Sequence, residues 1–238
     1  ACNFYYGLNA KILIKKKLAL PLCGNKSIAF DKVEVFIRKN NRVLSKIINV
    51  KKINTLSVSL KRKVKQDLEK IVSKRKNFLK NVNFLEPSIM GILNLTPDSF
   101  SDGGKFDNKK KAKIHNLDMI NAGANIIDVG GESTRPGSKT VLTNVEWKRI
   151  ESFVKNFKKK HKKICLSIDT RKSEVMVKAI NHGADLINDV SGFKYDNQSL
   201  LRLKKYNVAK VLHHMQGTPN SMQNSPKYKN VLLDIYDF

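Results

Sequence analysis

From Ser88 onward the sequence repeats one pattern: a short apolar stretch, a polar loop, then an amphipathic helix. The apolar stretches cover residues 89–93, 125–129, 164–168, 186–188 and 209–212, and the helices between them 108–122, 144–161, 173–182 and 198–206. Strands that alternate with helices build βαβ units and a parallel sheet. Each strand runs into a loop bearing Gly, Pro or Asp. This places polar side chains at the strand C-terminal ends, where both (β/α)8 barrels and open α/β sheets keep their sites. No glycine-rich dinucleotide loop is present, since GESTRPG (131–137) lacks G-x-G-x-x-G spacing. The expected fold is therefore α/β, a (β/α)8 TIM barrel. A whole barrel takes about 250 residues. Residues 88–238 hold five such units, so the expectation is an incomplete barrel.

Residues 1–86 have a different texture and are expected to form a separate basic extension, with the barrel domain at 87–238. Residues 28–37 alternate as a strand, Asn40 and Asn41 mark a turn, and 43–50 return as a second strand. A helix is predicted over 59–82, with Leu60, Val64, Leu68, Ile71, Phe78 and Val82 on one face and a dense Lys/Arg array opposite. This extension carries 21 Lys and Arg against 5 Asp and Glu, much of the net charge of +26. Such a balance invites a nucleic-acid reading. The basic residues are not interleaved with aromatics as a single-strand binder needs, and Lys, Asn and Ile are abundant throughout. Nucleic acid is not expected as a partner. The helix stripe is expected to pack on its own domain. No apolar run reaches the ~18 residues of a membrane span. Residues 18–23 are too short for a signal-peptide core. Cys2, Cys23 and Cys165 lack paired or metal-ligand spacing, which fits a reducing compartment. The expected location is the cytoplasm. Position 1 is Ala, so the native start is expected to lie upstream.

The first strand ends in Asn94 and the loop TPDSFSDGG (96–104), where Gly103 and Gly104 allow a sharp turn. Polar groups there, among them Asp102, crowd one aromatic, Phe100. The second strand ends in Asp128 and then GGESTRPG (130–137). Thr134 and Arg135 suit an anion, since a guanidinium binds phosphate or carboxylate bidentately, and Pro136 stiffens the loop. The third strand ends in Asp169 and Thr170, the fourth in Asn188 and Asp189. Asp169 and Asn188 at neighbouring strand ends can grip a flat heterocycle, while Thr170 and Asp189 suit capping of the next turns. His213 and His214 follow the fifth strand. Adjacent strand residues face opposite sides, so packing fits them better than shared metal ligation. Residue chemistry alone describes a site for a polar planar ring plus an anionic group.

The segments IMGILNLTPDSFSDGG (89–104) and GGESTRPG (130–137), followed in order by LSIDT (166–170), LINDVSG (186–192) and LHHMQGTP (212–219), closely resemble the dihydropteroate synthase family. The resemblance runs from about Ser88 to the end. It implies a transferase joining 6-hydroxymethyl-7,8-dihydropterin diphosphate to 4-aminobenzoate, giving 7,8-dihydropteroate and pyrophosphate in folate biosynthesis. It also implies Asn94 as a magnesium ligand. Mg2+ keeps several waters and binds substrate phosphates, so one amide oxygen suffices. Thr134, Asp169 and Asn188 match pterin-diphosphate contacts. Phe100, Asp102, Arg135 and Pro136 match two loops that complete the aminobenzoate pocket, with Asp102 and Arg135 assigned to catalysis. No nucleophilic side chain is needed, because the protein contributes orientation and charge stabilisation. Family members place a further Asp, Lys and Arg on later strands, which have no counterpart here. Residues 1–238 alone are accordingly expected to be poorly soluble or oligomeric and inactive, and the complete protein to be a homodimer. Two other readings are a pterin-dependent methyltransferase, against which TPDSFSDGG and STRPG speak, and a non-catalytic pterin-binding paralogue.

Overall fold

A computed structural model describes residues 1–40, 42–79, 81–84, 86–96, 105–133, 140–219 and 221–238, with side chains left out at 105–109. The chain divides into two compact units, Ala1–Lys76 and Asn77–Phe238.

The first unit is built on one long strand, β3 (Asn25–Lys39). Strand β1 (Cys2–Tyr6) pairs antiparallel along one edge. Along the other run β2 (Leu20–Leu22) and, beyond it, β4 (Arg42–Asn49). The expected hairpin is the β3–β4 pair; β1, β2 and helix α1 (Gly7–Lys15) are additional. Ala29 packs with Ala10 and Ala19, while its neighbour Phe30 turns the other way and belongs to a cluster with Val33, Val35, Ile48, Ile53 and Val64. Helix α2 (Val58–Val72) lays Leu60, Leu68 and Ile71 on that second cluster.

The helix predicted over 59–82 ends ten residues early, at Val72. Ser73 is already extended (φ −69°, ψ 143°). The following Lys74, Arg75 and Lys76 are exposed, bring like charges together, and offer no apolar side chain to the core. Phe78 is exposed, whereas Leu79 and Val82 are buried with Ile126, Cys165, Leu186 and Ala209. Leu79 and Val82 thus pack within the second unit, which begins at Asn77.

The second unit holds a five-stranded parallel sheet, ordered β5 (Met90–Asn94), β6 (Ile126–Gly130), β7 (Cys165–Asp169), β8 (Leu186–Asp189) and β9 (Ala209–Leu212). Among the described residues the order never reverses, as a barrel requires and a doubly wound sheet does not. Helices α3 (Lys105–Asn121), α4 (Thr143–Lys160), α5 (Ser173–Asn181) and α6 (Ser199–Leu203) alternate with the strands, and α7 (Val231–Asp237) follows β9. All lie within about three residues of expectation.

Strand register sorts the side chains. Leu93, Val129, Ile168 and Ile187 form one row on the helix-facing side, fully buried with Ile150 and Val154 of α4 and Val175, Met176 and Ala179 of α5. Each large aliphatic so buried contributes roughly 1.5–3 kcal/mol. On the opposite side the layers grade from apolar to polar. Ile126 and Cys165 lie lowest and meet Leu79 and Val82; next come Ile92, Asp128, Ser167, Leu186 and Ala209; then Asn94, Gly130, Asp169, Asn188 and Val211. Apolar side chains therefore close the strand N-terminal ends, and polar ones line the C-terminal ends. None of the described helices is long and apolar enough to cross a membrane.

Candidate active site

The uppermost layer brings together three residues singled out from sequence. Asn94, Asp169 and Asn188 occupy register-equivalent positions on β5, β7 and β8, separated between β5 and β7 by Gly130. A Cβ at Gly130 would lie 3.1 Å from Asn94 Oδ1 and 3.6 Å from Asp169 Oδ2. The missing side chain thus leaves a notch open to the Asn94 amide oxygen. A hard oxygen donor of this kind suits a cation such as Mg2+, which takes waters and a phosphate for the rest of its shell. Thr134, Arg135, Pro136, Phe100 and Asp102 lie outside the described residues.

Sequence reading named Asp128 only as a strand end. The structure gives it a central place one layer down. Its Oδ2 accepts a hydrogen bond of 3.0 Å from Asn188 Nδ2, which orients that amide. Among the described residues its Oδ1 is buried without a hydrogen-bond partner, and so is the hydroxyl of its register neighbour Ser167. The two are close enough for the Ser167 dipole to favour the Asp128 anion, yet not in bonding geometry. Buried polar atoms left unpaired are uncommon and mark where an incoming group can bond.

The site is electrically unusual. Burial pushes the Asp169 carboxyl up to about 8, and the nearby Asp128, Glu146, Asp189 and Glu132 carboxylates push the same way. Burial also raises Asp128, opposed by the Ser167 hydroxyl and the Asn188 amide. Asp169 thus holds a proton near neutrality and can both donate and accept, which matches a ring edge carrying both kinds of group.

The loops beyond the strands are set by carboxylates. Asp189 is fully buried and accepts from Ser191 N, Ser191 Oγ and Phe193 N (2.7–3.1 Å), folding the turn after β8. Burial raises this carboxyl too, despite those bonds. Thr170 Oγ1 accepts from Lys172 N at 3.2 Å. Both residues act on the turns that follow them, as their positions suggested. His214 Nε2 meets Tyr228 Oη at 3.1 Å and its ring stacks edge-on with Phe238, a packing role.

Residues 90–238 match the family model described as pterin binding enzyme. The dihydropteroate synthase of Clostridium beijerinckii is 48% identical over 147 residues, 62% of this chain and 52% of that protein. Among solved structures, the Yersinia pestis dihydropteroate synthase with a sulfonamide drug is 41% identical. It superposes with a TM-score of 0.60, covering 66% of this chain and 56% of that one. The Burkholderia cenocepacia dihydropteroate synthase complexed with 7,8-dihydropteroate is 37% identical, with a TM-score of 0.54 over 66% of this chain and 52% of that one. The chain spans about half the length of the curated relatives it matches. An apolar-floored parallel sheet, a polar rim of Asn94, Asp169 and Asn188, and a match across well over half of its residues together place this chain in the pterin-binding enzyme family.

Proposed function

We propose that this chain carries the pterin-binding part of a dihydropteroate synthase, a transferase that condenses 6-hydroxymethyl-7,8-dihydropterin diphosphate with 4-aminobenzoate. The observation that carries the reading is the layer in which Asn188, oriented by Asp128, stands beside Asp169, and Asp169 stands across Gly130 from Asn94. Asn188 and Asp169 hold the edge of the pterin, and Asp128 Oδ1 and Ser167 Oγ offer two unspent bonding positions below it. Asn94 would hold Mg2+, which when bound supplies positive charge to the diphosphate oxygens. Thr134 adds a hydroxyl to the diphosphate, and Arg135, Phe100, Asp102 and Pro136 enclose the aminobenzoate. In the reaction the bond from the pterin methylene to the diphosphate oxygen breaks and its electron pair leaves with pyrophosphate. The arylamine nitrogen bonds to the methylene carbon and loses a proton. The protein's contribution is to orient two substrates and exclude water.

The protein works on small molecules, in the cytoplasm and as a homodimer, without a nucleic-acid partner. Supporting this are three free cysteines and basic residues not interleaved with aromatics; the homodimer follows from the family resemblance alone. The test is calorimetry on the full native gene product with pterin diphosphate and magnesium. Asp169→Ala should weaken binding about tenfold or more, since a lost bond to a charged or protonated partner typically costs about 1.5–3 kcal/mol. An unchanged dissociation constant removes Asp169 from the site. Failure of the unaltered protein to form dihydropteroate refutes the assignment.

A further inference from the structure

The first unit is strongly basic and leaves one strand edge open. Strand β4 pairs with β3 in unbroken register from Lys32↔Asn49 to Lys39↔Arg42, and among the described residues no strand pairs with its outer side. Along such an edge alternate N–H and C=O groups point outward and stay available to another strand. β4 has no Pro, no Gly and no bulge against β3, so none of the usual backbone devices blunts it. The run from Arg42 to Ile47 is exposed throughout. Within it three large apolar side chains meet solvent, Val43 at 47%, Leu44 at 58% and Ile47 at 60% exposure. The pleat sorts these residues. Arg42, Leu44 and Lys46 share the side on which Val33, Val35 and Ile48 enter the α2 cluster, and Val43, Ser45 and Ile47 share the other.

The chemistry of the edge selects what can cover it. A second copy of the chain would bring together two units that each carry 20 Lys and Arg against 4 Asp and Glu, so self-repulsion opposes it. A bilayer has no bonding partners for the outward N–H and C=O groups. A nucleic acid offers phosphates to Arg42 and Lys46 but no polypeptide edge to pair with β4. An added strand meets every requirement at once. Its main chain bonds the open edge, and its side chains alternate as those of β4 do. Acidic residues then stand opposite Arg42 and Lys46 on one face, and β-branched residues opposite Val43 and Ile47 on the other. Cross-strand pairs of both kinds are favourable. The two cations also keep neutral or basic strands away, a common protection for an exposed edge.

We propose that the outer edge of β4 docks an extended acidic segment of another polypeptide, which joins the sheet as a further strand with Asp or Glu opposite Arg42 and Lys46 and β-branched side chains opposite Val43 and Ile47. This does not depend on the dihydropteroate synthase reading. Fluorescence anisotropy on the full native gene product tests it, with a short synthetic peptide that alternates Glu and Val and is blocked at both ends. That peptide should bind, and one alternating Lys and Val should bind at least about tenfold more weakly, since opposite charges across a strand pair attract and like charges repel. A Glu–Val peptide methylated on its backbone nitrogens keeps its side chains but loses its main-chain donors. It should also bind about tenfold or more weakly, and this comparison needs no altered protein. Arg42→Glu combined with Lys46→Glu, both at exposed positions, should reverse the ranking of the Glu and Lys peptides. No binding of the Glu–Val peptide, equal binding of its methylated form, or an unchanged ranking in the double variant overturns the proposal. Tighter binding of a single-stranded oligonucleotide or a phosphatidylglycerol vesicle, lost in the double variant, would give the edge to nucleic acid or lipid instead. Self-association that the double variant abolishes in sedimentation would give it to a second copy.

Discussion

Replacing Asp169 with asparagine should make the second unit more stable at pH 8 and leave it nearly unchanged at pH 5. The Asp169 carboxyl is raised from 3.8 to about 8, first by burial and then by the facing carboxylates. Between about pH 4 and pH 8 the folded protein therefore keeps a proton that the unfolded chain has released. Stability falls as pH rises through that window, by at most about 1.4 kcal/mol per unit, and levels off above pH 8. The full shift of roughly four units sets a ceiling near 6 kcal/mol. The carboxyl is only partly buried at the strand ends, and its titration is shared with Asp128. A loss of roughly 2–3 kcal/mol between pH 5 and pH 8 is the expected size once that coupling is allowed for. The amide that Asp169→Asn introduces cannot ionise and should erase this slope. Trp147, the only tryptophan, sits buried on α4 against His182 and so reports the second unit by fluorescence. Urea unfolding at several pH values then gives both curves. Parallel curves for the two proteins between pH 5 and pH 8 would show that Asp169 titrates normally and that the reasoning is wrong.

Two further outcomes need no substrate. Cys165 is 1% exposed and burial pushes its thiol up to about 12, while Cys2 and Cys23 are partly exposed; a thiol reagent at pH 8 should modify two cysteines quickly and the third only on unfolding, and three equally fast reactions would contradict the buried placement. Gly131→Ala places a Cβ 2.8 Å from the Glu146 carbonyl oxygen and 3.0 Å from Ile150 Cγ2, so α4 must shift. A destabilisation of about 1–3 kcal/mol is expected in urea unfolding, and a loss under about 0.5 would mean that α4 yields freely.

The strands and helices of the second unit were legible because each kind leaves a distinct mark. Val129, Ile168 and Ile187 sit in short β-branched, apolar stretches that end in Asp or Asn, while Trp147, Ile150, Val154 and Phe157 recur at helical spacing on α4. Asn94, Asp169 and Asn188 could be found because strand ends feed loops, and polar side chains there have a reason to be polar. Asp128 was passed over because its role depends on a partner 60 positions away, a relation that only sheet register creates. The buried ion pair of Glu146 with Lys172 had one readable sign: Glu146 falls on the apolar face of α4, four residues before Ile150, where an acidic residue has to be paired. In the first unit the α2 stripe was read past its end, since Phe78 and Val82 continue the spacing by chance while three exposed basic residues intervene. Strand β1 and helix α1 carry little periodicity of their own; they are held by pairing with β3 and by small residues such as Ala10 and Ala29.

The row Asn94, Gly130, Asp169, Asn188 also makes the site a matter of counting. On a pleated strand a slip of one residue exchanges the two faces. A single deletion within β7 would turn Ile168 toward the ligand and bury Asp169 among Val129 and Ile187. Point changes at these positions degrade the site by degrees, whereas a one-residue gain or loss inside a strand turns it inside out. Descendants of this sequence can therefore drift in composition along the strands but can change length only in the connections between them.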